Sequence, residues 1–285
     1  MSYILSIKVI DYFWNSNCKV LVRINTYTMK KSLLFIFIAL LSFQTKAQES
    51  AFDSGEWFKF RIHYGIFTAS YATMQVQDGV VNGKEMYHIK GRGKSTGLLS
   101  LFFKVDDDYQ TFFNKKTGAP SKFIRKIDEG GHTKDIQIDF DHDKKTALVN
   151  DKKHKVKTSH KINNGTQDMM SAFYYLRNNV DTKNLKVGQE VKINMFFDKE
   201  NFDFKLKFLG RELVQTKFGK VASLKFRPYV QSGRVFKENE SLTVWISDDK
   251  NKIPVRLQAD LAVGSIKADL EAYKGLKHSF KIVVN

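Results

Sequence analysis

Apolar and polar residues alternate over most of this chain. Phe58, Phe60, Ile62 and Tyr64 interleave with Trp57, Lys59, Arg61 and His63, the period of two that marks a strand with one buried face. The same alternation runs through Ala72/Met74/Val76, Ile136/Ile138/Phe140, Val191/Ile193/Met195 and Phe202/Phe204/Leu206/Phe208. It continues through Ala222/Leu224/Phe226, Leu242/Val244/Ile246, Val255/Leu257/Ala259/Leu261 and Ile266/Ala268/Leu270/Ala272. Turn residues divide the runs at Val81-Asn82-Gly83-Lys84, Lys116-Thr117-Gly118, Lys217-Phe218-Gly219-Lys220 and Asp248-Asp249-Lys250-Asn251. Such short links join antiparallel neighbours, because parallel strands need long crossovers. Roughly a dozen strands with few prolines predict an all-β domain, a large curved antiparallel sheet or incomplete β-barrel.

One segment has a different period. In Thr166–Val180 the positions Met169, Ala172, Phe173, Leu176 and Val180 share one helical face, which predicts a single amphipathic helix laid on the sheet near residues 166–180. Thr166 is the expected cap, and Asp168 complements the positive end of the helix dipole. No Pro/Gly/Ser-rich linker breaks the chain, so residues 48–285 read as one β-rich domain, in two lobes joined near the helix at 163–180.

The N-terminal stretch follows neither period. Met29-Lys30-Lys31-Ser32 precedes nine apolar residues, Leu33–Leu41, and a polar stretch ends at Thr45-Lys46-Ala47-Gln48. Charged start, short apolar run and small-residue end make residues 29–47 a signal peptide, cut near Ala47. The run is too short for the roughly 20 residues of a stable membrane span. Residues 1–28 then read as a mis-called extension upstream of the true initiator, Met29; an uncleaved anchor with a long charged leader is the alternative. The expected location is periplasmic or otherwise exported, with no transmembrane span in the mature chain.

Composition narrows the chemistry. Cys18, the only cysteine, precedes the cleavage site, so the mature chain has no disulfide, thiolate nucleophile or lipid-anchoring cysteine. The 238 residues after Ala47 are enough to bury a core without such staples. Residues 1–47 hold six basic residues and one acid, which leaves 41 against 29 and a net +12 from residue 48 on. In an exported protein that charge points to phospholipid headgroups, lipopolysaccharide or acidic glycans and not to nucleic acid. The alternative is a basic surface with no specific partner. Lys152-Lys153-His154-Lys155-Val156-Lys157 is the local cluster.

Several motifs suggest chemistry and lack its full pattern. Gly91-Arg92-Gly93-Lys94-Ser95 has His88 where a phosphate-binding loop needs its first glycine. Asp139-Phe140-Asp141-His142-Asp143 has Lys144 and Asn150 where a calcium loop needs glycine and a bidentate acid. No histidine pair has zinc-site spacing, and no Gly-x-Ser-x-Gly elbow occurs. Catalytic residues, metal ligands and cofactors are therefore not expected, although distant residues can still assemble in space. In the turn after Trp245, Asp248 is expected to fix the hairpin by accepting from nearby amides, not to bind metal.

The aromatic load is the remaining feature. Phe102-Phe103, Phe112-Phe113, Tyr174-Tyr175 and Phe196-Phe197 are adjacent pairs, and adjacent strand residues face opposite ways. Either parts of the sheet are covered on both faces, or one concave face is lined with rings and open to an apolar ligand. Phe102, Phe103, Met169, Phe173 and Trp245 are the candidate ligand-lining residues.

Four segments in order carry a resemblance. They are Gly55-Glu56-Trp57-Phe58-Lys59-Phe60-Arg61-Ile62-His63-Tyr64-Gly65, the helix Gln167–Arg177, Gly219-Lys220 leading to Phe226-Arg227-Pro228, and Leu242-Thr243-Val244-Trp245-Ile246-Ser247-Asp248-Asp249. The last is followed by Ile253-Pro254-Val255 and Val263-Gly264-Ser265-Ile266. Together they resemble the exported bacterial domain-of-unknown-function family 3108 over nearly all of residues 52–280. The resemblance implies a β-rich envelope protein and supplies no catalytic residues. The C-terminal part is also loosely similar to the half-barrel lipid and lipoprotein carriers of the periplasm. The leading expectation is a non-catalytic module that binds an apolar or amphiphilic envelope ligand, such as a lipid or lipopolysaccharide. A structural or assembly factor binding another envelope protein, and a hydrolase of envelope glycans or lipids, are the alternatives.

Overall fold

The computed structural model describes residues 49–96, 104–229 and 242–283; the predicted signal peptide, the segment before it, Phe102 and Phe103 lie outside them. The alternating runs form fourteen strands in a single antiparallel sheet. In chain order they are β1 Trp57–Tyr64, β2 Phe67–Val81, β3 Lys84–Ser95, β4 Val105–Asn114, β5 Pro120–Glu129, β6 His132–Asp141 and β7 Thr146–Asp151. There follow β8 Val156–Lys161, the helix α1 Met169–Asn179, β9 Glu190–Phe197, β10 Glu200–Thr216, β11 Gly219–Tyr229, β12 Leu242–Ser247, β13 Pro254–Asp260 and β14 Ser265–Lys274. The spatial order is β8 down to β1, then β14 down to β9. The only neighbours not adjacent in the chain are therefore β1 and β14, paired from Trp57–Lys274 to Tyr64–Ile266.

Turn chemistry sets the register. Asn82 and Gly83 adopt φ of 50° and 72° between β2 and β3, the paired positive angles a two-residue hairpin of right twist requires. Gly91 to Ser95, far from wrapping a phosphate, run as extended backbone in β3 between β2 and β4. Gly91 has a packing reason: a Cβ there would lie 2.9 Å from the Met170 methyl, so the glycine lets α1 settle on the sheet.

Two local expectations need correction. The helix cap is Asp168, not Thr166. Asp168 Oδ1 accepts from the Met170 and Ser171 amides at 2.8 Å each, and Ser171 Oγ returns an acceptor to the Asp168 amide, a reciprocal capping box. Thr166 instead donates its hydroxyl to the Asn163 carbonyl. Between β12 and β13 the turn is held by Asp249, whose Oδ1 accepts from Ser247 Oγ, the Asn251 amide and the Lys252 amide. Asp248 faces outward and pairs with Arg211 at 3.0 Å.

The sheet curls without closing. Its end strands β8 and β9 are not hydrogen-bonded to each other, and side chains bridge the gap. Asn201 Nδ2 donates to the Lys161 carbonyl at 2.7 Å, and Asp198 in the β9–β10 turn pairs with Arg125 and Lys134 at 2.9 and 3.1 Å. Gln167, just before α1, exchanges backbone hydrogen bonds with Asn194 and Phe196 of β9. The helix therefore hangs inside the curl with a different neighbour on each side. Met170 and Tyr174 join a core of Val76, Ile89, Phe113, Phe123, Ile138 and Phe140 from the β2–β7 half, with Phe52 from the segment before β1.

Candidate functional site

The opposite face of α1 is the amphipathic stripe read from the sequence, and it does not close against the sheet. Met169, Phe173, Leu176 and Val180 border a cavity of about 610 Å³, whose other walls come from eight strands. Phe60 and Ile62 come from β1, Ala72 and Met74 from β2, Phe202, Phe204 and Leu206 from β10. Leu242, Val244 and Ile246 come from β12, with Leu257 and Ala268 from β13 and β14. Protein interiors are packed to crystal-like density with few voids larger than a water. A space this size, in the roughly 300–1,000 Å³ range of small-ligand sites, is a designed concavity and not a packing defect.

Its polar groups are few and gather under the C-terminal end of α1. Arg177 is buried and grips Glu56, Nη1 to Oε1 and Nη2 to Oε2 at 2.6 Å each, while its Nε donates to the Asn251 carbonyl. Phe52, Phe58, Phe173 and Tyr174 surround the guanidinium with ring centroids at 5.1–5.7 Å. Burial pushes the Glu56 carboxyl up from its usual range, and the arginine pulls it back only in part. Lys252 also borders the cavity. Its Nζ donates to the Arg177 and Val180 carbonyls at 2.9 and 2.8 Å, satisfying the end of the helix. Burial lowers its pKa, and the Arg177 charge lowers it further against the opposing pull of Asp181. At the other end the lining includes Glu200, which is exposed, and Met169, 38 % exposed, so the cavity reaches solvent beside the β9–β10 turn.

Of the residues singled out from the sequence, Met169 and Phe173 line the cavity together. Trp245 does not. It packs with Val214, Val221 and Val255 on the other face of β12, under Phe280 of the C-terminal segment, and its Nε1 donates to Glu212. Phe196 and Phe197 divide as adjacent residues must: Phe196 is in the core, Phe197 in the cavity wall. The sequence reading missed Glu56, Arg177 and Lys252 as a group. Only the helical stripe pointed there, since Arg177 sits one residue after Leu176.

One arrangement resembles catalytic chemistry. His63 lies 2.9 Å from Asp269, but its other ring nitrogen is engaged by the Gly65 carbonyl at 2.8 Å, which leaves neither nitrogen to activate a nucleophile. Among the described residues no group of three His, Cys, Asp or Glu side chains could hold a metal ion, and no helix is long and apolar enough to cross a membrane.

The family model of a protein of unknown function, DUF3108, matches residues 59–271, a span that includes most of the cavity wall and all of α1. The chain belongs to the DUF3108 family. This DUF3108 chain is also similar in fold to a β-barrel-like protein of the domain of unknown function DUF1849 from Brucella abortus. That match has a TM-score of 0.50 and 11 % identity, and covers 78 % of this chain and 98 % of the other. A DUF1089 family protein from Pseudomonas aeruginosa matches at a TM-score of 0.36 and 9 % identity, over 68 % and 92 % of the two chains. No curated protein matches the DUF3108 sequence.

Proposed function

We propose that this protein is an exported, non-catalytic binding module that holds an apolar or amphiphilic envelope ligand between α1 and the concave face of the β9–β14 half. The observation that carries the reading is the cavity of about 610 Å³, walled by apolar side chains of the helix and of strands on both sides of the β1–β14 junction. Burying the apolar part of a ligand there is favoured by roughly 25 cal/mol per Å² removed from water. The charges at the wall set what else fits. Arg177 is matched by Glu56, while Lys252 places an amine at the inner end, a donor suited to a polar or anionic group on an otherwise apolar molecule. The Met29–Ala47 leader supports export of the chain to a compartment where such amphiphiles are abundant.

The dye 1-N-phenylnaphthylamine, which brightens on leaving water, tests the cavity. Saturable one-site brightening is expected, weakened at least about tenfold when Phe204→Asp or Val244→Asp places a carboxylate in the wall. Absence of saturable binding, or binding indifferent to both substitutions, overturns the reading. Native mass spectrometry of protein taken from its own envelope identifies the occupant. A co-purifying lipid supports a carrier, and a stoichiometric protein partner without lipid favours an assembly role.

A further inference from the structure

Large apolar side chains are exposed together at one end of the sheet. Ile66 in the β1–β2 turn is 85 % exposed and Phe67 at the start of β2 72 %, and Val263 is 77 % exposed in the β13–β14 turn, with Tyr64, Leu261 and Ile266 beside them. They form one patch because β1 and β14 are neighbours. Tyr64 stands opposite both Phe67 and Ile266, and its hydroxyl donates to the Val263 carbonyl at 3.0 Å. Gly264 leaves room for that tyrosine: a Cβ there would lie 2.7 Å from its oxygen. The two hairpins are thus fastened to each other with their apolar tips outward, an arrangement a soluble surface has no reason to build.

The surroundings specify the partner. By strand direction the β7–β8 hairpin turns toward the same end as β1–β2 and β13–β14, six strands along the sheet from β1. That third turn carries exposed Lys152, Lys153 and Lys155, while its acid, Asp151, is engaged by the His154 ring at 2.8 Å. Between them the end of β5 brings Asp128, paired with Lys104 at 3.5 Å, and Glu129; the apolar tips match the acyl layer of an anionic bilayer and the β7–β8 lysines its phosphate headgroups. The cavity wall extends to Ile62, two residues before Tyr64.

We propose that this end docks on a bilayer of anionic phospholipid, with Ile66, Phe67 and Val263 inserting below the headgroups and the β7–β8 lysines meeting phosphates. Its consequence, that an amphiphile passes between bilayer and cavity at this end, rests on the function proposed above; the docking itself does not.

Flotation of the purified protein with vesicles tests it, using phosphatidylcholine alone or mixed with phosphatidylglycerol. Binding to the anionic vesicles is expected, with a loss of at least about tenfold for the triple variant Ile66→Asp, Phe67→Asp, Val263→Asp. Lys152→Glu with Lys155→Glu should lower binding to anionic vesicles and abolish its salt sensitivity. Unchanged 1-N-phenylnaphthylamine binding by the triple variant shows that its fold and cavity are intact. The proposal falls if the wild type does not float, if the triple variant floats equally well, or if the patch instead drives a dimer that the triple variant dissolves. Vesicle binding by a wild type that takes up no dye upholds the docking and sinks the cavity reading alone.

Discussion

Arg177 and Glu56, 121 positions apart in the chain, meet as a two-point ion pair that is 1 % and 0 % exposed. The pair ties α1 to the strand entering the sheet at β1, and the backbone carbonyl of Asn251 ties the same guanidinium to the β12–β13 turn. A buried pair of this kind adds little over an apolar replacement of both partners, but breaking one side strands a charge. Arg177→Met should therefore destabilise the domain by roughly 3–5 kcal/mol in urea unfolding. The double variant with Glu56→Gln should recover a substantial part. An equal loss in both would show that the arginine acts by packing alone.

The β12–β13 turn separates two neighbouring acids. Asp249 accepts three local hydrogen bonds and Asp248 makes one exposed ion pair. Asp249→Ala should lower stability by about 1–3 kcal/mol, and Asp248→Ala by less than about 1 kcal/mol. Thermal melts of both variants check the order; a larger effect at Asp248 would contradict the geometry.

Asp168 gives the fold a pH signature. Complete burial pushes its carboxyl up to about 6, against the pull of the Thr111 hydroxyl and the two cap amides. The unfolded group titrates near 3.9, so between these values the native state holds a proton the unfolded state has lost. This contribution to stability is present below about pH 4, falls on the order of 2–3 kcal/mol as pH rises through about 6, and is flat above. Asp107, raised to about 6 by burial and by Glu129, titrates in the same window, so the measurement is a comparison. Asp168→Asn, which keeps a good cap, should gain stability relative to wild type from pH 4 to 6.5. Parallel pH profiles of the two proteins would refute the assignment.

Gly275 is where the chain leaves β14 and turns back beneath the sheet. It sits at φ 66°, and a Cβ there would come within 2.2 Å of the Gly55 carbonyl oxygen, a backbone atom that cannot rotate away. Gly275→Ala should cost more than about 2 kcal/mol and release the segment that covers Trp245. Faster tryptic cleavage at Lys277 and Lys281 is the expected readout. Unchanged proteolysis would mean the tail is held without that turn.

The inward face of the sheet was legible residue by residue. Phe202, Phe204 and Leu206, or Leu242, Val244 and Ile246, follow from alternation alone, and all six line the cavity. The alternation that puts Val244 in the wall also puts Trp245 outside it. Aromaticity says nothing of the face a residue takes, and Trp245 lies with Val214, Val221 and Val255. That the inward face would stay unfilled was not legible, because the strand pattern is the same for a packed core and for a lined concavity. The helix carried the missing information: Met170 and Tyr174 are buried in the core, while Met169, Met170 and Phe173 border the cavity, so one turn of helix serves both core and cavity. Glu56 and Arg177 were invisible for a different reason, since nothing local to either residue indicates a partner so distant in sequence.

The seam between β8 and β9 has a mechanical meaning. In a closed barrel, enlarging the interior means stretching a continuous ring of ladder hydrogen bonds, all at once. Here the ring is interrupted, and the gap is spanned by side-chain bonds of Asn201 and Asp198, the backbone bridge of Gln167 and the packing of Phe196 against Phe140 and His160. The girth of the interior is thus set by a small set of contacts at one place in lieu of a continuous ladder, and the rest of the wall can hinge about them as a cuff does about its buttons. A bulkier guest is accommodated by undoing a few fastenings without tearing the fabric.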